Sequence, residues 1–500
     1  MIPVKGEACS GGNTIPDSPA SNHRRAAVGQ EITRIDFTEE DFARFSGRLA
    51  AETALAERWL REGRFESEGH VGGFELEAWL LDRNAFPLPG IEAYLARLAN
   101  PLVVPELSKF NVELNGTPQA LGGRALRRLE DGLSATWRHC LHVAHEMEGT
   151  LVMIGILPTV RERDLTLANI SPLNRYSALN HEVLKRRGFR PLQLDIQGRE
   201  RLRLTHEDVM LEAATTSFQV HLQAPAQDIV RLYNTSAILS APMVALAANS
   251  PFLFGRHLWD ETRVPLFEQA VDSGEPACAS RRVTFGSGYL EGSALQSFRE
   301  NLDAYPVLLP IAYDDGEAQL RHVRLHNGTI WRWNRLLIGF DDNQRPHLRI
   351  EHRVMPAGPT IRDMIANAAV YLGATRCLGS LRCAPEDDLP FEQARANFYA
   401  AARDGLAADV AWLGGTHAKV SDVLLDEVLP MARQGLRQLG ADEDDIDLYL
   451  DVAAARVRCG QNGAGWQRAH AQRHGRDLFR LTADYLEHQR SAMPVHEWDV

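Results

Sequence analysis

The chain has 500 residues, 44% of them hydrophobic, and a formal net charge of −12 at pH 7. Such a chain can bury a large core, whereas its acidic balance argues against binding to nucleic acid or to an anionic membrane. The beginning of the chain lacks the apolar core of a signal peptide. The scattered cysteines form no C-x-x-C pair, so free thiols in a reducing cytoplasm are expected. They are Cys9, Cys140, Cys278, Cys377, Cys383 and Cys459.

Three segments open the chain. Residues 1–32 are rich in glycine, proline and serine and are expected to be a disordered tail. A helical pattern covers residues 38–61, with Thr38 as a suitable N-cap. Residues 72–82 then have the apolar and aromatic composition of a strand that enters a core.

This strand carries two carboxylates, Glu75 and Glu77. Residues i and i+2 of a strand point to the same side, so the two side chains project together. They repel each other and lose hydration if that side is half-buried. A cation normally compensates, and oxygen ligands at this spacing suit Mg²⁺ or Mn²⁺. The alternative is a solvated face on an edge strand.

The rest of the chain alternates between helices and strands of uneven length. Residues 237–254 form the longest apolar run, but polar residues and prolines interrupt it, so a buried helix is expected and not a membrane span. Together the patterns predict an α+β protein. Helices are expected over residues 121–148, 174–187, 228–248 and most of 390–489, and extended segments over 101–115, 151–156, 217–223, 322–325 and 348–355.

Further polar residues lie on predicted strands. Glu106 and Glu113 are seven residues apart, and this odd spacing lets both reach one point only if Glu106 lies in a turn. Glu351 alternates with Arg349 and Arg353. Such a pattern is either a structural ladder of ion pairs or a metal ligand between cations that bind phosphate.

Gln219, His221 and Gln223 share one face of another apolar strand. A lone histidine on such a strand is usually structural, but three polar residues in register favour a site. The chain contains no phosphate-binding loop of the G-x-x-x-x-G-K-[ST] type and no G-x-G-x-x-G after a strand. Any ATP must therefore be held by metal ions and arginines.

These residues, in this order, resemble the glutamate–cysteine ligases of the plant and bacterial carboxylate–amine ligase type, which are relatives of glutamine synthetase. The resemblance covers roughly residues 70–360. The matching motifs are Gly73-Phe74-Glu75-Leu76-Glu77; Glu106 with Val112-Glu113-Leu114; Gly155 to Pro158 with Asn174-Arg175-Tyr176; Thr216-Ser217-Phe218-Gln219-Val220-His221-Leu222; Ala248-Asn249-Ser250-Pro251-Phe252 with Gly255-Arg256; Thr329-Ile330-Trp331 with Asn334-Arg335; and Ile350-Glu351-His352-Arg353.

The resemblance implies a glutamine synthetase-like catalytic core, in which a curved antiparallel sheet is lined by metal-binding carboxylates and has helices outside. ATP would phosphorylate the γ-carboxylate of glutamate, and an amine, most often that of cysteine, would attack the acyl phosphate. We expect a tail over residues 1–32, a ligase core over 33–385 and a helical region over 386–500 packed on the core. The partners would be glutamate, ATP and the amine. The sequence specifies no oligomeric state.

The same resemblance assigns roles to individual residues. One Mg²⁺ or Mn²⁺ would be held by Glu75, Gln219 and Glu351, and a second by Glu77, Glu106 and Glu113. Arg335 and Arg353 would stabilise the transferred phosphoryl group and, with Arg349, bind the nucleotide, and Arg263 is a further catalytic candidate.

Departures from the family pattern leave alternatives open. Many bacterial members have His-Val-His where this chain has Gln219-Val220-His221, so the metal role of His221 is in doubt. The segment around residues 259–263 follows the family order only loosely, and the amine could therefore differ from cysteine. A non-catalytic relative that binds nucleotide or glutamate, or an unrelated metal-dependent hydrolase or phosphotransferase, are the competing hypotheses.

Overall fold

The structure is a computed structural model that describes residue 32 and residues 34–274, 281–313 and 316–500. The predicted tail over residues 1–32 therefore lies almost wholly outside the described residues, as do Cys9 and Cys278. The four cysteines in the described part, Cys140, Cys377, Cys383 and Cys459, are free thiols.

Strands make up one large sheet and four small ones in the described part of the chain. They are β1 (Val71–Leu81), β2 (Val103–Pro105), β3 (Asn111–Asn115), β4 (Gln119–Ala120), β5 (Thr150–Val152), β6 (Leu192–Gln197), β7 (Arg201–His206), β8 (Phe218–Gln223), β9 (Phe252–Leu253), β10 (Arg256–His257), β11 (Val283–Thr284), β12 (Trp331–Arg332), β13 (Asn334–Phe340), β14 (Pro346–His352), β15 (Asp409–Ala411) and β16 (His417–Lys419).

Helices surround the large sheet and form most of the C-terminal part. They are α1 (Glu39–Arg61), α2 (Ile91–Leu98), α3 (Ala125–Glu146), α4 (Asn174–Arg186), α5 (Ile229–Ala247), α6 (Arg263–Ala270), α7 (Gln296–Ala304), α8 (Arg321–Gly328), α9 (Ile361–Gly379), α10 (Pro385–Asp388), α11 (Phe391–Asp404), α12 (Val420–Val423), α13 (Leu429–Gln438), α14 (Glu443–Cys459), α15 (Gly463–His474) and α16 (Leu478–Ser491).

The large sheet is antiparallel and has the strand order β13-β14-β8-β1-β3-β2, with β4 and β5 paired to the two ends of β1. Because strand residues alternate between two faces, each strand divides its side chains between an apolar and a polar face. The apolar face carries Phe74, Leu76, Val220 and Leu222, all buried in the main core with α5 and α9. The prediction of an α+β fold with a curved antiparallel sheet and outer helices is confirmed.

Helix α5 (Ile229–Ala247) is the central helix behind the sheet. By length and composition alone it is apolar enough to cross a membrane, but 89% of its apolar window is buried within the protein. The prediction of a buried helix in this region is therefore confirmed. The predicted first helix is confirmed as well, since the Thr38 side chain accepts a hydrogen bond from the backbone of Asp41 and caps α1.

The predicted strand over residues 322–325 is wrong, because this segment lies in helix α8. Its alternating pattern was compatible with a strand, but buried Glu52 of α1 caps the start of α8. One carboxylate oxygen of Glu52 accepts hydrogen bonds from the backbone N–H groups of His322 and Val323, and the other lies 2.6 Å from His322 Nδ1. A distant partner thus fixes the local structure.

The C-terminal part is helical as predicted, apart from the short hairpin β15–β16. It contacts the core directly: Tyr485 Oη and Gln489 Nε2 of α16 donate hydrogen bonds to the carbonyl oxygen of Met153. The boundary at residue 385 between the ligase core and the helical region remains a prediction.

One ion pair between α9 and α14 is fully buried. Arg456 Nη2 lies 2.7 Å from Asp363 Oδ1, and both side chains have no exposed surface. Asp363 also accepts a hydrogen bond from the backbone N–H of Val495, so the pair joins three segments. Burying two charges is costly, and each partner is tolerated only while the other is present.

We predict that Arg456→Met destabilises the protein by about 3–5 kcal/mol, because it leaves a buried carboxylate without its cation. Denaturant unfolding followed by circular dichroism measures the loss. Arg437→Met is the matched control, since Arg437 pairs with Glu443 on the surface with 54% and 55% of their side chains exposed. Its unfolding midpoint should stay close to that of the wild type, and equal losses in the two variants would contradict the prediction.

Candidate active site on the polar face of the sheet

The register of the large sheet assembles the polar face. Glu75 of β1 lies opposite Gln219 of β8, and Glu77 lies opposite Glu113 of β3. On the other side of β8, His221 lies opposite Glu351 of β14. Directly opposed residues of antiparallel strands point to the same face. Polar residues that are far apart in sequence therefore share one surface.

Glu351 lies at the centre of this face and is completely buried. Arg335 of β13 binds it with two hydrogen bonds, Nε to Oε2 at 2.7 Å and Nη2 to Oε1 at 3.0 Å. Arg353 Nη1 donates a third, at 2.9 Å. Burial alone would raise the pKa of Glu351, but the charges of Arg335 and Arg353 outweigh burial and hold the pKa well below its usual range. Glu351 is therefore an anion at neutral pH.

His221 lies between two carboxylates. Its Nε2 is 3.3 Å from Glu75 Oε1 and 3.8 Å from Glu351 Oε1, and it is buried without a well-formed hydrogen bond. Glu75, His221 and Glu351 place one potential ligand atom each within 4.8 Å of one another. The sequence prediction grouped Gln219 with Glu75 and Glu351, but the structure brings His221 to this pair.

Arg349 determines which nitrogen of His221 carries the proton. Arg349 Nε donates a hydrogen bond to His221 Nδ1 at 3.1 Å, and a guanidinium can only donate. Nδ1 therefore has the free electron pair, and the proton of the neutral ring is on Nε2. A metal ion could bind Nε2 only after this proton had left, so the arrangement favours carboxylate ligands over His221.

Gln219 connects the centre of the face to a group of acidic residues at one end, which we call the acidic end. This end contains Glu77, Glu106 and Glu113. Gln219 Nε2 donates to Glu77 Oε1 at 2.9 Å and to Ser217 Oγ at 3.1 Å, and its Oε1 accepts a hydrogen bond from Arg353. Glu77 also accepts a hydrogen bond from the backbone N–H of Ser217 at 2.7 Å. Burial and then the charge of Glu106 raise the pKa of Glu77 to about 7.

Glu106 and Glu113 complete the acidic end. Glu106 lies just beyond the end of β2, outside the strand, as its spacing from Glu113 requires. Burial, followed by the charges of Glu75 and Glu106, raises the pKa of Glu113 well above its ordinary value. Raised pKa values thus mark the acidic end of the face, whereas the pKa of Glu351 is lowered.

Glu212 belongs to the same acidic end but was not predicted. Burial and the charges of Glu106 and Glu77 raise its pKa well above the ordinary value. It lies in the single-turn 3₁₀ helix Met210–Ala214, just before β8. Strand alternation reveals only residues that are within strands, so the sequence pattern contained no signal for Glu212.

Arg263 is placed beneath the face. Its side chain is 3% exposed, and its guanidinium donates to Glu261 Oε1 at 2.9 Å and to the carbonyl oxygens of Val354 at 2.6 Å and Arg353 at 3.2 Å. These contacts hold the backbone that follows β14. Its predicted catalytic role remains a prediction, but its contacts suit support of Arg353.

The donor set fits hard divalent cations such as Mg²⁺. Carboxylate and amide oxygens from four strands lie on this face, and burial followed by the charges of neighbouring carboxylates raises the pKa values of Glu77 and Glu113. A cation among them would relieve that repulsion. The arginines bound to Glu351 provide cations of the kind that bind phosphate oxygens.

Comparisons with known proteins give a family match and a match in fold. A model of the family described as glutamate-cysteine ligase family 2 (GCS2) matches residues 71–483. The chain is similar in structure to the glutamate–cysteine ligase of Francisella tularensis, solved in complex with AMP, with a TM-score of 0.55 and 12% sequence identity over 85% of this chain and 90% of that chain. This likeness shows a shared fold.

A bifunctional glutathione synthetase from Pasteurella multocida also matches, with a TM-score of 0.47 and 11% identity over 88% of this chain and 55% of that chain. A search of curated protein sequences gave no match.

The raised pKa values predict how stability depends on pH. Glu77 and Glu113 bind protons more tightly in the folded than in the unfolded protein, so their contribution to stability is present at low pH and is lost as the pH rises, for Glu77 through about 7. We expect the thermal midpoint of the cation-free protein to fall over this range. Mg²⁺ should raise the midpoint more at alkaline than at acidic pH. Differential scanning calorimetry measures both effects.

Glu113→Gln is the matched variant for this prediction, because it removes one titrating group but keeps the shape of the side chain. Its midpoint should fall less with rising pH than that of the wild type. Parallel curves for the two proteins would contradict the assignment of the bound protons to this group.

Proposed function

We propose that this chain, which belongs to glutamate–cysteine ligase family 2, is an ATP-dependent ligase that activates the γ-carboxylate of glutamate as an acyl phosphate and joins it to an amine. Membership of the family makes it a carboxylate–amine ligase. The amino group of cysteine is the proposed acceptor. The nucleotide, the glutamate and the amine are parts of the proposal.

One observation carries this proposal: the polar face separates its charges. Glu77, Glu106 and Glu113 form an acidic end, while Arg335 and Arg353 bracket Glu351 at the centre. A reaction that transfers a phosphoryl group to a carboxylate needs such a separation. Divalent ions and arginines neutralise the phosphate oxygens, and separate groups hold the amine substrate.

Arg353 is the residue best placed to act on the transferred group. Its Nη1 contacts both Gln219 and Glu351, so the guanidinium lies between the Glu75–His221–Glu351 group and the acidic end. The backbone of Arg353 is held in turn by Arg263. A guanidinium fixed in this way would stabilise the negative charge of the phosphoryl group in the transition state without reorganisation.

Two separate sets of carboxylates would hold the two metal ions. Glu75 and Glu351, with His221 beside them, would hold the ion near the ATP phosphates, and Glu77, Glu106 and Glu113 the one near the amino-acid substrates. Bound Mg²⁺ or Mn²⁺ would supply charge neutralisation to the phosphates and to the developing acyl phosphate. The AMP in the structure of the Francisella tularensis ligase supports the use of a nucleotide.

We expect ADP release from ATP and Mg²⁺ to require both glutamate and an amine. The assay runs a panel of amines that includes cysteine, and mass spectrometry identifies the γ-glutamyl product. Cysteine-dependent turnover supports the full proposal. Turnover with another amine keeps the mechanism but changes the acceptor.

The absence of turnover with every amine, in protein that binds Mg²⁺ and ATP, would contradict the ligase proposal. It would indicate a protein that binds nucleotide without catalysis. Glu113→Ala is the negative control and should abolish turnover without lowering the thermal midpoint, because it removes a buried carboxyl group whose ionisation is unfavourable. Glu392→Ala is the matched surface variant, since Glu392 is 67% exposed, and it should keep wild-type turnover.

Arg353→Lys should lower kcat by roughly 100-fold, the effect of removing a donor to developing charge. Lysine keeps the charge but lacks the planar pair of donors that binds phosphate oxygens. Steady-state kinetics with ATP and glutamate measure the loss, and the thermal midpoint checks the fold. Arg345→Lys is the control, because Arg345 is 60% exposed on the same hairpin. Wild-type kinetics for Arg353→Lys would contradict the prediction and would show that this arginine has only a structural role.

A further inference from the structure

A chain of hydrogen bonds crosses the core directly behind Glu351. Asn334 begins β13 and His352 ends β14, and the two residues lie opposite each other on the apolar face of the sheet. His352 Nδ1 and Asn334 Oδ1 are 2.7 Å apart, and Asn334 Nδ2 donates a hydrogen bond to Ser240 Oγ of α5 at 2.9 Å. Ser240 Oγ donates in turn to the carbonyl oxygen of Ser236. All four residues are buried. Polar groups thus occupy a region of the core in which the neighbouring residues are apolar.

The direction of each hydrogen bond in this chain is defined. The Ser240 hydroxyl donates its proton to a carbonyl oxygen, so it accepts a hydrogen bond from the amide nitrogen of Asn334. The amide oxygen of Asn334 therefore faces His352, and Nδ1 of His352 carries the proton between them. The imidazole also stacks on the ring of Tyr371 in α9, with ring centres 4.1 Å apart and an angle of 11° between the planes. These contacts hold both side chains in one orientation.

Strand β13 needs such a fixed point, because its own sequence specifies its register only weakly. Leu336, Leu337 and Ile338 are all buried, although Leu337 lies on the polar face with Arg335. A strand that is apolar on both faces can shift against its neighbour, and β13 is an edge strand paired with β14. The hairpin turn holds one end of the two strands. Asn334 and His352, which we call the rear pair, are the last pair at the other end.

Three residues next to the rear pair belong to the centre of the polar face. Arg335 follows Asn334, and Glu351 and Arg353 flank His352. In the observed register Arg335 lies opposite Glu351 and makes two hydrogen bonds to it. A shift of β13 by one residue would turn Arg335 to the apolar face and remove both hydrogen bonds.

We infer that Asn334 and His352 are positioning residues, which hold the neighbouring arginines and Glu351 in the geometry that phosphoryl transfer needs. The inference rests on the proposed function and adds to it two residues from behind the sheet. Both side chains are buried and point away from the polar face. Their effect therefore passes through the strands, and a misplacement of about 1 Å can lower a rate by roughly 100-fold.

Three variants separate the hydrogen bond from its surroundings. His352→Phe keeps an aromatic ring beside Tyr371 but removes the N–H group that donates to Asn334. His352→Gln is the conservative variant, because its amide nitrogen can donate in place of Nδ1. The double variant His352→Phe/Asn334→Leu removes both polar groups and leaves neither of them unpaired. Thr482→Val is the matched control, since it removes the hydrogen bond of a buried side chain to the carbonyl oxygen of Leu478 in α16.

Steady-state kinetics with ATP, glutamate and the accepted amine give kcat and KM, and the thermal midpoint gives the stability. His352→Phe should lower kcat by roughly 10- to 100-fold. Its KM values should stay close to those of the wild type, because the positioned groups act in the transition state. His352→Gln should recover part of kcat. The double variant should recover the thermal midpoint but not kcat, whereas Thr482→Val should lower the midpoint and keep kcat.

Crystal structures of the wild type and of the double variant measure the geometry without turnover. We expect the two hydrogen bonds between Arg335 and Glu351 to be lost or displaced in the double variant. This variant has no unpaired member of the rear pair, so it carries the test where His352→Phe does not fold.

Wild-type kcat in His352→Phe, or recovery of kcat together with the midpoint in the double variant, would overturn the inference. Intact hydrogen bonds between Arg335 and Glu351 in the double variant would overturn it as well. These results leave the ligase proposal standing wherever the wild type turns over ATP. A wild type without turnover would remove the ligase proposal instead. Displaced hydrogen bonds would then still support positioning by the rear pair, whereas intact ones would overturn it.

Discussion

The repulsion between carboxylates on one face of a sheet is the constraint on which the rest of this structure depends. Glu75 and Glu77 must point the same way because they are two residues apart on β1, and antiparallel pairing adds Glu113 and Glu351 to the same face. Charges that are brought together in this way must be paired, protonated or bound to a cation. Two of these outcomes are visible on the face: Glu351 is paired with arginines, whereas the raised pKa values of Glu77 and Glu113 favour their protonated forms.

A face of this kind needs a rigid support. The opposite side of the same strands supplies it, because alternate residues of β1, β8 and β3 are buried in the main core, which also contains residues of α5 and α9. Loss of this packing would shift the register, and a shift by one residue would move every carboxylate into the core. The buried pair Arg456–Asp363 fastens α14 to α9 behind the sheet. The C-terminal helices thus belong to the support of the site, although none of its carboxylates comes from them.

The sequence permits prediction of the segments in which polar and apolar residues alternate with the two-residue period of a strand. Alternation in β1, β8 and β14 identifies most of the residues of the polar face. The resemblance to the glutamate–cysteine ligases then assigns roles to them. The period contains no information about residues outside strands, which explains why Glu212 was not found. The alternation pattern also fails where a contact distant in sequence determines the local structure. Glu52 caps the start of α8, and residues 322–325 are therefore helical. Strand β13 was also not predicted, although it carries Arg335, one of the two arginines that bind Glu351.

Arg349 fixes the tautomer of His221 beside the central carboxylates of the face. Its Nε holds Nδ1 of His221 and so keeps the imidazole proton on Nε2, facing Glu75 and Glu351. Only the Nε–H of Arg349 is used for His221, and a guanidinium has other N–H donors. An anion that met those other donors would leave the bond to Nδ1, and hence the tautomer of His221, unchanged. The ligands left for a cation at the Glu75–His221–Glu351 group are therefore the carboxylate oxygens, because Nε2 carries the imidazole proton.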